Sequence, residues 1–147
     1  MAKRDAFLDT SGLYALVDRK DPHHGAARKT VTGIVRGGRR LIVTDYVIAE
    51  TVTLAKARGG AHVALRALDL VEQSVGIRVE WIGPPRFDMT KAFVRKHADH
   101  DYSFTDCSSF VVMRELRLRQ ALTTDRHFVE AGFEALLPTD PSRRAAR

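Results

Sequence analysis

Four short apolar runs, each separated from the next by one or more long segments of helical periodicity, constrain this chain more than any other feature. Ala6-Phe7-Leu8, Leu41-Ile42-Val43, Ile77-Arg78-Val79-Glu80-Trp81-Ile82 and Gln120-Ala121-Leu122-Thr123 read as strands. They are too far apart in sequence for hairpins, so their connections must cross over through helices, and crossovers of that kind join parallel strands. Leu13, Leu16 and Val17 stand at helical spacing after the first strand. A second helix runs from Asp21-Pro22 to about Val35 and ends at Gly37-Gly38; a third spans Asp45 to about Arg58 and stops at Gly59-Gly60. A fourth covers roughly Ala61 to Ser74. Gly83-Pro84-Pro85 reads as the terminator of the third strand, with a helix from about Phe87 to His97 beyond it. Thr105 opens a helix carrying Cys107, Phe110, Val111 and Met113, a short helix follows Asp125, and Phe133 to Leu137 reads as an edge strand. The expected fold class is α/β with a central parallel sheet. With no long linker or repeat, residues 1–137 read as one domain and residues 138–147, with Arg143, Arg144 and Arg147, as a basic tail.

The 147 residues are enough for one hydrophobic core, and no apolar run approaches the roughly 20 residues of a membrane span. The first nine residues lack the apolar stretch of a secretion signal, and the single cysteine, Cys107, can form no internal disulfide. Both point to the cytoplasm. Lys and Arg total 24 against 18 acids, a net charge of +6. Such a surface attracts phosphate backbones or an acidic protein. Basic residues gather at Arg36, Arg39 and Arg40, at Arg114, Arg117 and Arg119, and in the tail. Solvated helix faces are the ordinary reading of the first two groups; the functional one is that some of them, Arg114 among them, line an RNA approach.

Against that basic background the acids matter more. Asp9 closes the first strand and Asp125 the fourth, and ligands of open parallel sheets bind beyond the carboxyl ends of the strands. Asp106 falls in the first turn of a helix that starts near the same edge. Each also has a structural reading, as an N-cap or as a first-turn acid facing the helix dipole. Glu50 shares a helix face with Val47 and Leu54, and a carboxylate on an apolar stripe calls for a positive partner; the alternative is a border position where it reaches water or pairs with a nearby arginine. Taken together, separated carboxylates brought close would repel unless a hard cation with oxygen ligands joined them, as Mg²⁺ does. A cation held in this way, inside a phosphate-seeking surface, suits phosphodiester hydrolysis. Thr10, Ser11, Thr105, Ser108 and Thr124 stand beside the acids and could orient them.

The segments Phe7-Leu8-Asp9-Thr10-Ser11, Val47-Ile48-Ala49-Glu50-Thr51, Tyr102-Ser103-Phe104-Thr105-Asp106-Cys107-Ser108 and Leu122-Thr123-Thr124-Asp125-Arg126-His127-Phe128 resemble those of PIN-domain nucleases. Within that family they are most similar to VapC-type toxins of bacterial toxin–antitoxin pairs, over about Ala6 to Leu137. The resemblance implies a three-layer α/β/α sandwich, a homodimer and endoribonuclease activity dependent on Mg²⁺ or Mn²⁺. It makes Asp9, Glu50, Asp106 and Asp125 the metal-binding acids around an activated water, with tRNA or rRNA as substrate and an antitoxin as protein partner. Two other readings compete: a catalytically silent RNA- or protein-binding module, and a phosphatase with Asp9 as nucleophile, which Ser11 disfavours because a second acid is usual at that position. The six histidines form no ligand pattern, although His127 lies close to Asp125, and Cys107 reads as a small core residue.

Overall fold

A computed structural model describes residues 4–139. The chain order is β1 (Ala6–Leu8), α1 (Thr10–Val17), α2 (His24–Arg36), β2 (Leu41–Thr44), α3 (Asp45–Arg58), α4 (Ala61–Gln73), β3 (Ile77–Glu80), α5 (Gly83–Lys96), α6 (Phe104–Glu115), β4 (Gln120–Leu122), α7 (Arg126–Glu130) and β5 (Glu134–Ala135). The five strands form one sheet in the order β3-β2-β1-β4-β5, and every adjacent pair is parallel. Helices flank the sheet, giving the α/β/α sandwich expected. Every residue of β1 and β2 is buried, as central strands covered on both faces should be. Among the described residues no helix is long and apolar enough to cross a membrane.

Two boundaries differ from the sequence reading for a physical reason. Gly83-Pro84-Pro85 does not end a strand and wait for a later helix; β3 stops at Glu80, and α5 begins at Gly83 with its prolines in the first turn. The first amide groups of a helix have no intrahelical acceptor, so a residue without an N–H costs nothing there. Asp21-Pro22 precedes α2 rather than starting it, because the Asp21 carboxylate accepts from the His23 amide in a tight turn. The edge strand is shorter than expected, Glu134–Ala135. Of the expected basic tail, residues 140–147 lie outside the described residues.

The register fixes what comes to the carboxyl edge. Leu8 pairs with Leu122, and the Asp9 amide donates to the Leu122 carbonyl at 3.3 Å, so the residues following β1 and β4 leave the sheet side by side. Below them Phe7, Phe110 and Phe128 pack ring against ring, all fully buried. Gly12 lets α1 lie directly on the end of β4: a Cβ there would stand 2.0 Å from the Leu122 carbonyl oxygen. That oxygen is backbone of a central strand and cannot move aside cheaply. Gly12→Ala is therefore expected to destabilise the protein by about 1–3 kcal/mol, the usual range for overpacking. Urea unfolding monitored by circular dichroism checks this; an unchanged midpoint would show that α1 is free to shift.

Candidate metal centre

Asp9 occupies the N-cap position of α1, yet its side chain makes no capping bond. It turns inward, where the Thr123 hydroxyl donates to Oδ2 at 2.7 Å and the Ser11 hydroxyl reaches the same oxygen at 3.3 Å. The capping reading fails for this residue. For the other two buried acids it holds and is not the whole account. Asp106 completes a capping box with Ser103, accepting from the Ser103 amide at 3.0 Å. Asp125 caps α7, its Oδ1 accepting from the His127 amide at 2.9 Å. Both carboxylates nonetheless face the imidazole of His127, whose Nδ1 lies 3.3 Å from Asp106 Oδ2 and 3.3 Å from Asp125 Oδ1. Asp9, Asp106 and Asp125 are 4%, 3% and 3% exposed, so three carboxylates share one dry pocket at the carboxyl edge.

Glu50 joins them from α3, in the border position rather than on the apolar stripe. The buried stripe of that helix is Val47, Thr51 and Ala55, and Glu50 sits at its border, half-buried. The Thr10 hydroxyl donates to its Oε1 at 2.7 Å. On its open side is a cleft of about 530 Å³ walled by Tyr46, Ala49, Thr53, Leu54, Ala57 and Thr105. All four predicted acids thus come to one edge, three enclosed and one at the rim.

Two residues central to this arrangement were not singled out by sequence. Thr123, expected only as a strand residue, donates to Asp9 and accepts from the Asp125 amide at 2.9 Å, so one hydroxyl ties two acids together. The signal available was its place one residue beyond β4, in a run of hydroxyls before an acid. His127, weighed as a surface or packing residue, is 3% exposed among the acids. Among the described residues, Arg39, Arg40 and Arg119 precede β2 and β4 at the opposite, amino edge, while the Arg114 guanidinium lies 5.0 Å over the ring of Phe93, which packs against Tyr102 beside His127.

Electrostatics tests whether a cation suits the pocket. Burial pushes the Asp9 carboxyl up to about 8, and repulsion from Asp106 adds to the effect against the Thr123 hydrogen bond. Burial likewise raises Asp106 to about 7, with repulsion from Asp125 next in size and a smaller one from Glu50. Carboxyls of this kind hold protons at neutral pH unless a cation takes their place. Ligand atoms of Asp106, Asp125 and His127 lie within 4.8 Å of one another, and the carboxylate oxygens are hard donors of the type that bind Mg²⁺ or Mn²⁺. The residues fit such an ion.

A carboxyl whose folded value lies above its unfolded one binds its proton more tightly when folded. Its contribution is complete below about 4 and is lost as pH rises toward 8. Metal-free protein should therefore lose thermal stability between about pH 5 and 8. Added Mn²⁺ should restore it, with a larger shift in Tm at pH 8 than at pH 5 because proton and metal compete for the same oxygens. Differential scanning fluorimetry reads both trends; a metal-induced shift independent of pH would argue against these ligands.

Three comparisons bear on this centre. The family model described as PIN domain matches residues 6–134. Two curated relatives, from the CDC 1551 and H37Rv strains of Mycobacterium tuberculosis, are each 31% identical over 132 residues, covering 90% of this chain and 98% of the relative. Both carry the name 23S rRNA-specific endonuclease VapC20. A crystal structure of Mycobacterium tuberculosis VapC20, described as a Sarcin-Ricin loop cleaving toxin, superposes with a TM-score of 0.79 at 29% identity, over 88% of this chain and 96% of the other.

Proposed function

The chain belongs to the PIN domain family, and on that premise we propose that it is a metal-dependent endoribonuclease acting as the toxin of a toxin–antitoxin pair. The observation that carries the reading is the convergence of Asp9, Asp106 and Asp125, buried together, with Glu50 at the rim of an open cleft. Asp9, Asp106, Asp125 and Glu50 would hold Mg²⁺ or Mn²⁺. When bound, the ion polarises a phosphoryl oxygen and lowers the pKa of a coordinated water. The protein's own part is positioning. Thr123 and Ser11 fix Asp9, Ser103 fixes Asp106, and Thr10 fixes Glu50 on the side from which a phosphodiester enters. Interlocked hydroxyls and backbone amides hold the donors at fixed spacing, so little rearrangement accompanies the reaction.

The likeness to VapC20 supports a structured ribosomal RNA loop as substrate, ahead of tRNA, and an antitoxin whose segment fills the cleft beside Glu50. The lone, buried Cys107 accords with a reducing cytoplasm. Purified protein is expected to cut ribosomal RNA with Mg²⁺ or Mn²⁺ and to stop in excess chelator. Asp9→Asn keeps the shape, removes the charge and should lower the cleavage rate by about a hundredfold or more. Full cleavage in chelator would sink the metal mechanism, and phosphate trapped on Asp9 would favour the phosphatase.

A homodimer is part of the same proposal. Trp81, Phe87, Met89, Val94 and Phe104 are exposed on and beside α5, with Phe87 and Val94 two helical turns apart on one face. Side chains of that size in contact with water favour burial against a second copy. Wild-type protein should elute at the mass of two chains in light scattering, and Phe87→Glu with Val94→Glu should elute as one. A monomeric wild type at micromolar concentration would remove this element.

A further inference from the structure

Two basic clusters far apart in sequence meet at the amino edge of the sheet. Arg4 and Asp5 lead into β1, Arg39 and Arg40 into β2, and Arg119 into β4, while Arg78 lies near the start of β3. The Arg39 side chain donates to the Arg4 carbonyl and to Gln120, which locks the three leading segments together. Two adjoining clefts result. One, of about 350 Å³, is lined by Arg4, Asp5, Arg39, Arg119, Gln120 and Glu134. The other, of about 320 Å³, shares Arg4 and Asp5 and adds Arg40 and Arg78. The three acids of the two clefts, Asp5, Glu80 and Glu134, do not balance these five arginines: Asp5 pairs with Arg40, Glu80 is shared by Arg78 and Arg86, and Glu134 accepts from Gln120. Helix dipoles explain Arg36 and Arg114, which stand in the last turns of α2 and α6. They do not explain Arg4, Arg39, Arg40, Arg78 and Arg119, none of which lies in a helix.

We infer that this edge is a second phosphate-binding face, which grips the backbone of a structured RNA away from the bond being cut. The inference rests on the ribonuclease reading of the acid site. Planar guanidinium groups recognise phosphate through paired hydrogen bonds, and three of them line each cleft. The strand from Asp5 to Asp9 spans about 13 Å, at roughly 3.3 Å per residue. A folded RNA can pass around the flank of the sheet and touch both ends; a short oligonucleotide in the acid site cannot.

The test compares full-length wild type with the Arg4→Gln, Arg40→Gln, Arg119→Gln triple variant. Binding of a labelled hairpin RNA of about thirty nucleotides is measured in chelator across a salt series, and cleavage of an RNA of about six nucleotides is measured with Mn²⁺. The variant should bind the hairpin about tenfold more weakly, and its log affinity should fall less steeply with log salt, by about two in slope, since each phosphate contact contributes roughly 0.7–0.9. Cleavage of the short RNA should stay within about twofold. Should the triple variant fail to fold, Arg4→Gln with Arg119→Gln keeps the Arg40–Asp5 pair and should lower the slope by about one and a half. Unchanged hairpin affinity and slope would overturn the inference. So would loss of short-RNA cleavage, which would place these arginines at the acid site. Loss of binding to a polyglutamate peptide with RNA binding intact would overturn it in favour of an acidic protein. Failure of wild type to cut any RNA would defeat the ribonuclease reading instead, and the hairpin comparison would still be readable.

Discussion

Everything at the carboxyl edge depends on the parallel pairing of β1 with β4. Because Leu8 stands opposite Leu122, the chain leaves both strands at the same level, and Asp9 and the Thr123-Thr124-Asp125 run emerge together. Thr123 then donates to one acid and accepts from the backbone of the other, converting strand register into carboxylate spacing. Gly12 belongs to the same constraint, since only a residue without a side chain lets α1 turn away from Asp9 across the end of β4. A slip of one residue between β1 and β4 would send Asp9 to the other face of the sheet and leave no site.

Parallel α/β architecture also sorts charge. α1 and α7 follow strands and so begin at the carboxyl edge, and α6, which follows α5, begins there too, so all three present their amino ends where Asp9, Asp106 and Asp125 stand. Positive helix ends and unpaired amides soften the repulsion among three acids held out of water. Softening is incomplete, as the raised Asp9 and Asp106 carboxyls show. A cation would relieve the same repulsion when the acids are ionised, in competition with the protons that relieve it otherwise.

Sequence exposed the layers because strands buried on both faces must be apolar throughout and the segments between them keep helical spacing. Residues 6–8 and 41–44 needed nothing more. Asp9 and Asp125 were legible from strand-end position. For Glu50 spacing left two readings, on the apolar stripe or at its border, and the helix takes the second, turning its Val47–Thr51–Ala55 face to the core and leaving Glu50 at the margin. A three-residue step falls 60° short of a full turn, which is the difference between a stripe and its border. Gly83-Pro84-Pro85 misled because proline marks both ends and beginnings. Thr123 carried no signal beyond its strand, and His127 stood out only for lying close to Asp125, because their importance lies in what stands beside them across the fold. No spacing within one segment reports that Asp106 and Asp125 both reach the same imidazole nitrogen.

That imidazole bears on how the pocket keeps its shape. Asp106 Oδ2 and Asp125 Oδ1 each lie 3.3 Å from its Nδ1, so two carboxylates from different segments stand against one ring atom. The ring is held by packing as well as by charge: Tyr102 meets it edge to face at 5.5 Å, and Tyr102 in turn packs against Phe110 of the core. The acids of α6 and of the β4–α7 junction thus meet across one aromatic side chain, while Asp9 and the β4–α7 junction are tied by hydrogen bonds through one hydroxyl. Three segments distant in sequence are brought together by two links, both of which run through the β4–α7 junction. Under the function proposed above, donors held at fixed spacing would suit a small ion with strict geometry, which is the physical reason for proposing Mg²⁺ or Mn²⁺.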